Sequence, residues 1–245
     1  MNPRPHFTES VSRSVSISFA LLLALSISAC RWTDASGPGS EASPEVVDQE
    51  LDAIVTELDS KDSSSNANLL RTRVLQIAHE HRGHVRAQWM AAVILESSGD
   101  PNRARIHLDR VIQKEPSHDG ARSLLARIAI GEGDLGRARR LVDDGLLLRP
   151  ASSLLHEADA LTAMLEEDFE QSERALTRAD SLGAPKYRTA YHRGLLAERR
   201  GEVDEARDQY EAALEEHEGF GPAEHRLEAL GGPRQQPQPD SSNGG

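Results

Sequence analysis

The sequence predicts an all-α fold, an α-solenoid of stacked antiparallel helix pairs, and three repeated features support this prediction. Small, apolar and turn-forming residues recur every 34 positions through four successive units without an insertion. Pairs of residues at helical spacing recur with the same period, and Pro116 and Pro150 close the first two units. A period of this length is typical of helix pairs that each stack on their neighbours.

The first helix of each unit carries a small residue where a partner helix must come close. The positions are Ala92, Ala126, Ala160 and Gly194. A small side chain there lets the neighbouring helix pack against the backbone. The helix then ends near Gly99, Gly133 or Gly201, because glycine takes the left-handed conformation that helix termination often needs. The third unit has Glu167 instead, and we expect looser packing over residues 165–186.

An acidic residue precedes the second helix of each unit. The four are Asp100, Asp134, Asp168 and Glu202. Their carboxylates can accept hydrogen bonds from free N–H groups at the helix start, and Pro101 suits the first helical position. A small and a large residue follow on one face of that helix, four positions apart. These pairs are Ala104 with Leu108, Ala138 with Val142, Ser172 with Leu176, and Ala206 with Tyr210.

At these positions the chain resembles the tetratricopeptide repeat, whose pattern runs W-x2-L-G-x2-Y, then A-x3-F, then A and P. The resemblance covers residues 85–220 and is strongest at the small-residue, turn and A-x3-F positions. It departs at the tryptophan position, which holds Gln88, Arg122, His156 and Ala190. The resemblance implies a superhelix whose first helices line a groove for a protein or peptide partner.

The period and the flanking composition divide the chain into nine expected segments. They are a signal peptide (1–29), a flexible tether (30–44), a degenerate helical repeat acting as N-terminal cap (45–84), repeats at 85–118, 119–152, 153–186 and 187–220, a capping helix (221–231) and a disordered tail (232–245). The third repeat is degenerate because it lacks the turn glycine. The tail is predicted from its Gly, Pro, Gln and Ser content.

The N-terminal segment predicts export and a lipid anchor. Arg4 and Arg13 give the segment a positively charged start, and they precede an apolar stretch that is too short for a comfortable membrane span. The stretch ends in Ile27-Ser28-Ala29-Cys30, which resembles the bacterial lipobox and implies a diacylglycerol on the Cys30 sulfur. Cys30 is the only cysteine, so it has no disulfide partner within the chain. The open alternative is an ordinary secretory signal beside a cysteine.

Charge and sorting signals narrow the expected location. The formal net charge of −12 should repel nucleic acid and anionic lipid, so the lipid alone is expected to hold the chain at the membrane. Acyl chains contribute about 0.8 kcal/mol per buried CH₂, which suffices for a lasting anchor when several are present. Arg31, rather than an aspartate, follows Cys30. In familiar enterobacterial sorting this favours the outer membrane, facing the periplasm.

The sequence carries no recognisable catalytic motif. It has no G-x-S-x-G, no phosphate-binding glycine loop and no H-E-x-x-H. We therefore expect no enzymatic activity, no cofactor and no small-molecule substrate. His79, His81 and His84 form a cluster that could hold a metal, but they are better read as a polar helix end, and no metal is predicted.

Helical spacing from the small positions selects six candidates for a partner-binding groove. They are Arg86, Trp89, Arg127, Glu157, Arg188 and Tyr191. Tryptophan, tyrosine and arginine are typical of the residues that dominate binding energy in protein interfaces. The alternative is that Trp89 and Tyr191 only pack between repeats.

These features predict a membrane-anchored adaptor or scaffold that binds a protein partner during assembly of a cell-envelope complex. Two other functions stay open at this stage. One is an accessory factor or regulator of a cell-wall or glycan enzyme, and the other is a passive structural envelope lipoprotein.

Overall fold

A computed structural model describes residues 43–58 and 66–232. The predicted signal peptide, Cys30 and nearly all of the tether lie outside these residues, as does the tail after residue 232. The described ranges contain eleven α-helices and no strand. They are α1 (Pro44–Leu58), α2 (Ala67–Glu80), α3 (Val85–Ser97), α4 (Pro101–Lys114), α5 (Asp119–Gly131), α6 (Leu135–Leu148), α7 (Ser153–Leu165), α8 (Phe169–Ser181), α9 (Lys186–Arg200), α10 (Val203–Glu216) and α11 (Gly221–Ala229). None of these helices is long and apolar enough to cross a membrane.

The chain forms two compact units, residues 1–47 and residues 48–245. Of the first unit the structure describes residues 43–47, where α1 begins and the Val46 amide donates a hydrogen bond to the Ser43 carbonyl at 3.0 Å. The stacked helix pairs belong to the second unit.

Helices α3 to α10 pack as four pairs, and each pair packs on the next. This confirms the predicted all-α fold of stacked helix pairs. The first helices of the first three pairs begin at Val85, Asp119 and Ser153, each 34 residues after the last. The fourth begins one residue early, at Lys186, directly after Pro185. Two helices precede the pairs, and α11 packs against α10 after them.

The core consists of the small and large residues that recur with the period. Ala92 and Ala126 are fully buried, and Ala160 is 1% exposed. The large residues of the second helices, Leu108, Val142, Leu176 and Tyr210, are all fully buried. Burying each of these side chains contributes roughly 1.5–3 kcal/mol, so every pair carries its own share of a continuous core.

The turns inside the pairs use the left-handed backbone conformation. Gly99, Gly133 and Gly201 have φ of 77°, 78° and 80°. In the third pair Glu167 takes the same conformation, with φ 64°, although a Cβ disfavours it. The turn still closes, because the Asp168 amide donates to the Ala163 carbonyl at 2.9 Å. The expectation of looser packing over 165–186 is wrong, since the side chains that this pair sends to the core are as buried as in its neighbours.

Three of the four predicted acidic caps are present. In each of them the side-chain carboxylate accepts a hydrogen bond from the backbone amide three residues later in the chain. The distances are 3.1 Å for Asp100, 2.9 Å for Asp134 and 2.9 Å for Asp168. Glu202 makes no side-chain cap bond, so that prediction is wrong. Its extra methylene carries the carboxylate past the amides that an aspartate reaches, and one oxygen lies 3.9 Å from Arg200.

The first helices are capped by a second set of residues that recurs with the same period. The Nδ1 atoms of His84 and His118 accept from the amides of Ala87 and Ala121 at 3.3 and 3.1 Å. Ser152 caps α7, the first helix of the third pair, in the same way. His84 of the histidine cluster therefore serves a helix end. Within residues 43–58 and 66–232, no group of three His, Cys, Asp or Glu side chains is placed to hold a metal ion.

Candidate functional site

A groove of about 660 Å³ runs across the first helices of the four pairs. Each first helix contributes side chains one or two turns apart, and the start of α11 closes one end. The lining residues are Trp89, Val93 and Glu96 on α3, Gly120, Ser123, Leu124 and Arg127 on α5, Leu154, Glu157 and Leu161 on α7, Tyr187, Arg188, Tyr191, His192 and Leu195 on α9, and Phe220 and Pro222. The groove thus brings together residues far apart in the chain.

Five of the six candidate residues line this groove: Trp89, Arg127, Glu157, Arg188 and Tyr191. Arg86 does not line it. Its guanidinium instead lies 2.6 Å from an Asp52 carboxylate oxygen and 3.4 Å from one of Asp48, both on α1. These ion pairs attach the first repeat to α1, so Arg86 has a structural partner within the chain.

Aromatic side chains form the end of the groove near α11. The rings of Tyr191 and Phe220 meet edge to face with centroids 5.4 Å apart, and Tyr187 packs on Phe220 at 5.0 Å. At the other end, Trp89 packs on the His118 ring at 5.1 Å. Trp89 therefore packs against the start of the next repeat and also faces the groove. Tyr191 faces the groove as well, but its ring contacts lie within the last repeat.

The charges in the groove are arranged as two ion pairs that cross from one repeat to the next. An Arg127 nitrogen lies 2.7 Å from a Glu96 carboxylate oxygen. An Arg188 nitrogen lies 2.7 Å from Glu157 Oε2. Because each cation has a carboxylate partner, the groove carries little net charge despite its four ionised groups.

Glu157 is the buried member of these pairs, with 2% of its surface exposed. Burial raises the pKa of its carboxyl, and the positive charge of Arg188 works against that rise. The close ion pair with Arg188 is the polar contact of this carboxylate, and neither Oε1 nor Oε2 has a well-aligned hydrogen-bond donor among the described residues. A carboxylate in this position has unused acceptor capacity, which is costly in a buried site.

His192 stands beside this carboxylate. Its Nδ1 lies 3.9 Å from Glu157 Oε2, too far for a hydrogen bond, and has no other partner in the described part of the chain. Burial lowers the pKa of His192 to about 3, assisted by the charges of Arg188 and Arg127. The ring is therefore neutral at pH 7.

The groove residues that sequence reasoning missed include Tyr187, His192 and Phe220. Tyr187 lies four residues before Tyr191, so helical spacing alone could have placed it on the same face. His192 and Phe220 had no such signal. His192 lies off the helix face on which the 34-residue period places the groove residues. Phe220 stands at the N-cap position of α11, the helix that follows the last repeat.

Comparison with known proteins agrees with this architecture. Residues 95–165 match the tetratricopeptide repeat family model. No curated protein sequence matches the chain. Among solved structures, the chain is similar to TTC0263, a tetratricopeptide-repeat protein of Thermus thermophilus, with 19% identity and a TM-score of 0.62 over 75% of this chain and 98% of that one.

Two further solved structures share the fold at lower sequence identity. PilW, described as a widely conserved type IV pilus biogenesis factor, is 10% identical, with a TM-score of 0.57 over 76% of this chain and 86% of that one. Pseudomonas aeruginosa pilF is 13% identical, with a TM-score of 0.54 over 76% of this chain and 83% of that one. The chain folds as a tetratricopeptide-repeat solenoid, and its residues 95–165 carry the sequence pattern of that repeat.

Proposed function

We propose that this chain is an adaptor that binds a segment of a protein partner in the groove and holds it at a membrane of the cell envelope. One observation carries the proposal: aromatic, apolar and paired charged side chains from four repeats line a single groove of about 660 Å³. Sites that bind protein segments combine apolar anchors with a few placed polar groups. Ser123 in the groove lining donates its hydroxyl to the Leu154 carbonyl at 3.1 Å rather than to a histidine.

The membrane part of the proposal rests on the sequence. Cys30 follows a short apolar segment in a lipobox-like context, and lipidation there would tether the repeats through residues 31–44. The described helices offer no membrane span of their own. PilW is described as a pilus biogenesis factor, and assembly of an envelope machine of that general kind would suit an anchored scaffold.

Photo-crosslinking tests the groove directly. A photoreactive amino acid at Val93, which lines the groove and is 40% exposed, should capture a protein partner in membranes of the native host. The matched control is Leu147 on α6, which is 85% exposed and does not line the groove. A defined adduct from position 93 and none from position 147 supports the proposal. No adduct, or the same adduct from both positions, contradicts it.

Fractionation tests the anchor separately. The Cys30→Ala variant should leave the membrane fraction, while the wild-type chain should require detergent for release. A variant that still sediments with membranes would show that lipidation of Cys30 is not the anchor.

A further inference from the structure

We propose that the groove docks a partner segment through an internal aspartate or glutamate side chain, which Arg127 and Arg188 bind together while apolar residues on both sides of it occupy the two ends of the groove. This inference rests on the proposed docking function and names the chemistry of the occupant. Both cations are accessible to a ligand, since 47% of the Arg127 side chain and 31% of the Arg188 side chain are exposed.

The charges that a ligand can touch are not balanced, although the formal charges of the groove are. Glu157, which neutralises Arg188, has only 3% of its side chain exposed. Glu96, which neutralises Arg127, has 30% exposed. A ligand therefore meets two accessible guanidiniums and one accessible carboxylate, in a chain whose formal net charge is −12.

The two guanidiniums approach α7 from opposite sides. Arg127 lies on α5 and Arg188 on α9, and α7 packs against both of these helices. Burial raises the pKa of Glu157 on α7, and the positive charges of Arg188 and Arg127 counteract that rise. The same two charges add to the effect of burial in lowering the pKa of His192 on α9. Both cations thus act on one region of the groove, and this is where we place the partner's carboxylate.

Each guanidinium has N–H groups to spare for that carboxylate. A guanidinium carries five N–H donors. In each of the two arginines it is Nη2 that lies 2.7 Å from a carboxylate oxygen, of Glu96 for Arg127 and of Glu157 for Arg188. Within residues 43–58 and 66–232, their Nε and Nη1 groups make no further ion pair or hydrogen bond. Hydrogen bonds from these groups to a carboxylate are charge-assisted and roughly twice as strong as bonds between neutral groups.

Apolar surface at both ends of the groove favours an internal side chain over a chain terminus. Trp89 and Val93 lie on α3 at one end, and Tyr187, Tyr191 and Phe220 form the other. A segment whose carboxylate lies between these ends can continue in both directions and bury an apolar anchor at each. A free C-terminus bound by the same cations would leave one end uncovered.

Peptide binding to the purified full-length protein in detergent tests the inference. From α3 to α9 the groove crosses three helix spacings, roughly 24–30 Å, which about nine extended residues can span. Peptides of the sequence Phe-Leu-Ser-Ser-X-Ser-Ser-Leu-Phe would carry Glu, Asp, Gln or Lys at X, with an amidated C-terminus and a zwitterionic rhodamine at the N-terminus. Fluorescence anisotropy measures their affinities. The tighter of the Glu and Asp peptides should bind about tenfold or more tightly than the Gln and Lys peptides.

Three single variants assign the preference to the groove. Arg127→Gln should remove most of the preference for an acid over Gln, because one of the two cations is lost. Glu96→Gln frees Arg127 from its own carboxylate, so it should tighten binding of the Glu peptide by about threefold. The control is Arg103→Gln, which removes a cation that is 61% exposed, pairs with Asp100 and lies outside the groove lining. It should leave the preference unchanged.

The contribution of Arg188 requires a double variant. Arg188→Gln alone would leave Glu157 buried without its cation, which is strongly destabilising. Combining it with Glu157→Gln removes both charges, so the fold should persist while the second cation of the site is absent. The double variant should also lose most of the preference for an acid. Circular dichroism melting establishes that each variant is folded.

Every other result overturns the inference. Equal binding of the Glu and Gln peptides would mean that Glu96 and Glu157 already saturate both arginines, and tighter binding of the Lys peptide would mean that the net charge of the chain governs binding. A truncated peptide that ends at X as Gln with a free C-terminal carboxylate contradicts the inference if it binds as tightly as the Glu peptide. Failure of all peptides to bind, or a preference that survives Arg127→Gln or the double variant, also contradicts it. If the preference fails while position 93 still crosslinks a partner, the docking function stands and only the acidic assignment falls.

Discussion

Gly194 and Tyr210 fit each other at the contact between α9 and α10. A Cβ built on Gly194 would lie 2.6 Å from Cδ1 and 2.8 Å from Cζ of the fully buried Tyr210 ring. In the earlier pairs the second helix brings Leu108, Val142 or Leu176 to this contact, and the first helix carries alanine. The fourth pair has the largest side chain in one position and the smallest in the other, so the close packing of the two helices is preserved.

Gly194→Ala should therefore destabilise the protein by about 1–3 kcal/mol, because the added methyl group overpacks a site with no room. The Tyr210 ring cannot simply swing away, since its hydroxyl donates to Glu198 at 2.6 Å. Urea denaturation followed by circular dichroism measures the change.

Gly136→Ala on α6 is the matched control. Its new Cβ would meet nothing nearer than 3.6 Å, so the substitution should be neutral or stabilise by up to about 1 kcal/mol through helix propensity. Equal effects of the two alanines would contradict the packing argument.

Arg139 and Arg105 occupy the same position in successive repeats but should not be equally important. Arg105 pairs with Glu132 at 3.0 Å, a single contact across the repeat boundary. Arg139 reaches the equivalent Glu166, with Nε 3.1 Å from Oε2, and also contacts the buried Asp159 at 2.5 Å. Arg139→Gln should cost about 1–3 kcal/mol in unfolding free energy, because it leaves Asp159 without its cation.

Arg105→Gln should cost at most about 1 kcal/mol, the usual range for an ion pair near the surface. Urea unfolding of both variants at low and at high salt compares them. If Arg105→Gln proved as damaging as Arg139→Gln, the extra contact with Asp159 would not stabilise the fold.

Glu202→Asp should stabilise the protein, although it is a conservative change at an exposed turn. The shorter aspartate can reach the amide of Glu205, as the caps at the three earlier turns do, and a new cap contributes about 0.5–1 kcal/mol. The reciprocal substitution Asp134→Glu removes an existing 2.9 Å cap bond and should destabilise by a similar amount. Differential scanning calorimetry should show the two melting temperatures moving in opposite directions, and a shift in the same direction would contradict the cap assignment.

His192 should make the fold acid-sensitive. Burial and the nearby charges of Arg188 and Arg127 lower its pKa in the folded state from 6.5 to about 3. The unfolded chain therefore binds a proton first as the pH falls, and stability is lost from about pH 6.5 downward, by up to about 1.4 kcal/mol per pH unit. The raised pKa of Glu157 opposes this loss near its own titration range.

His192→Gln removes the titrating ring and leaves Glu157 in place, so the difference between the two proteins isolates the histidine. The variant should lose roughly 1–2 kcal/mol less stability than the wild type between about pH 7 and about pH 4.5, as urea titrations at each pH would measure. Parallel pH profiles would mean that His192 is accessible to protons in the folded state.

The features that were predictable from the sequence are those set by residues close together in the chain. The capping hydrogen bonds of Asp100, Asp134 and Asp168 span three residues. Small residues such as Ala92 are required by the contact between the two helices of a single pair. The prediction that Glu202 caps a helix was wrong because it considered only the negative charge of the residue and not the length of its side chain. The turn at Glu167 closes because the surrounding pair is as tightly packed as the others.

The candidate site was harder to predict because it depends on contacts between repeats. Trp89, Glu157 and Tyr191 could be placed on the groove face by helical spacing. Arg86 satisfies the same spacing, but it pairs with Asp48 and Asp52 on α1, a helix outside the 34-residue register. The pairing of Glu157 with Arg188, and the nearby His192, require the packing of α7 against α9, which no local pattern specifies.

The groove also bears on how the repeats unfold. Contacts between helices of this chain are mainly between neighbours, which favours stepwise melting from the ends. Trp89 and Phe220 line the same groove although they belong to opposite ends of the repeat array. A segment held there would link early and late repeats that otherwise melt independently, so its binding would turn a gradual thermal transition into a single sharp one.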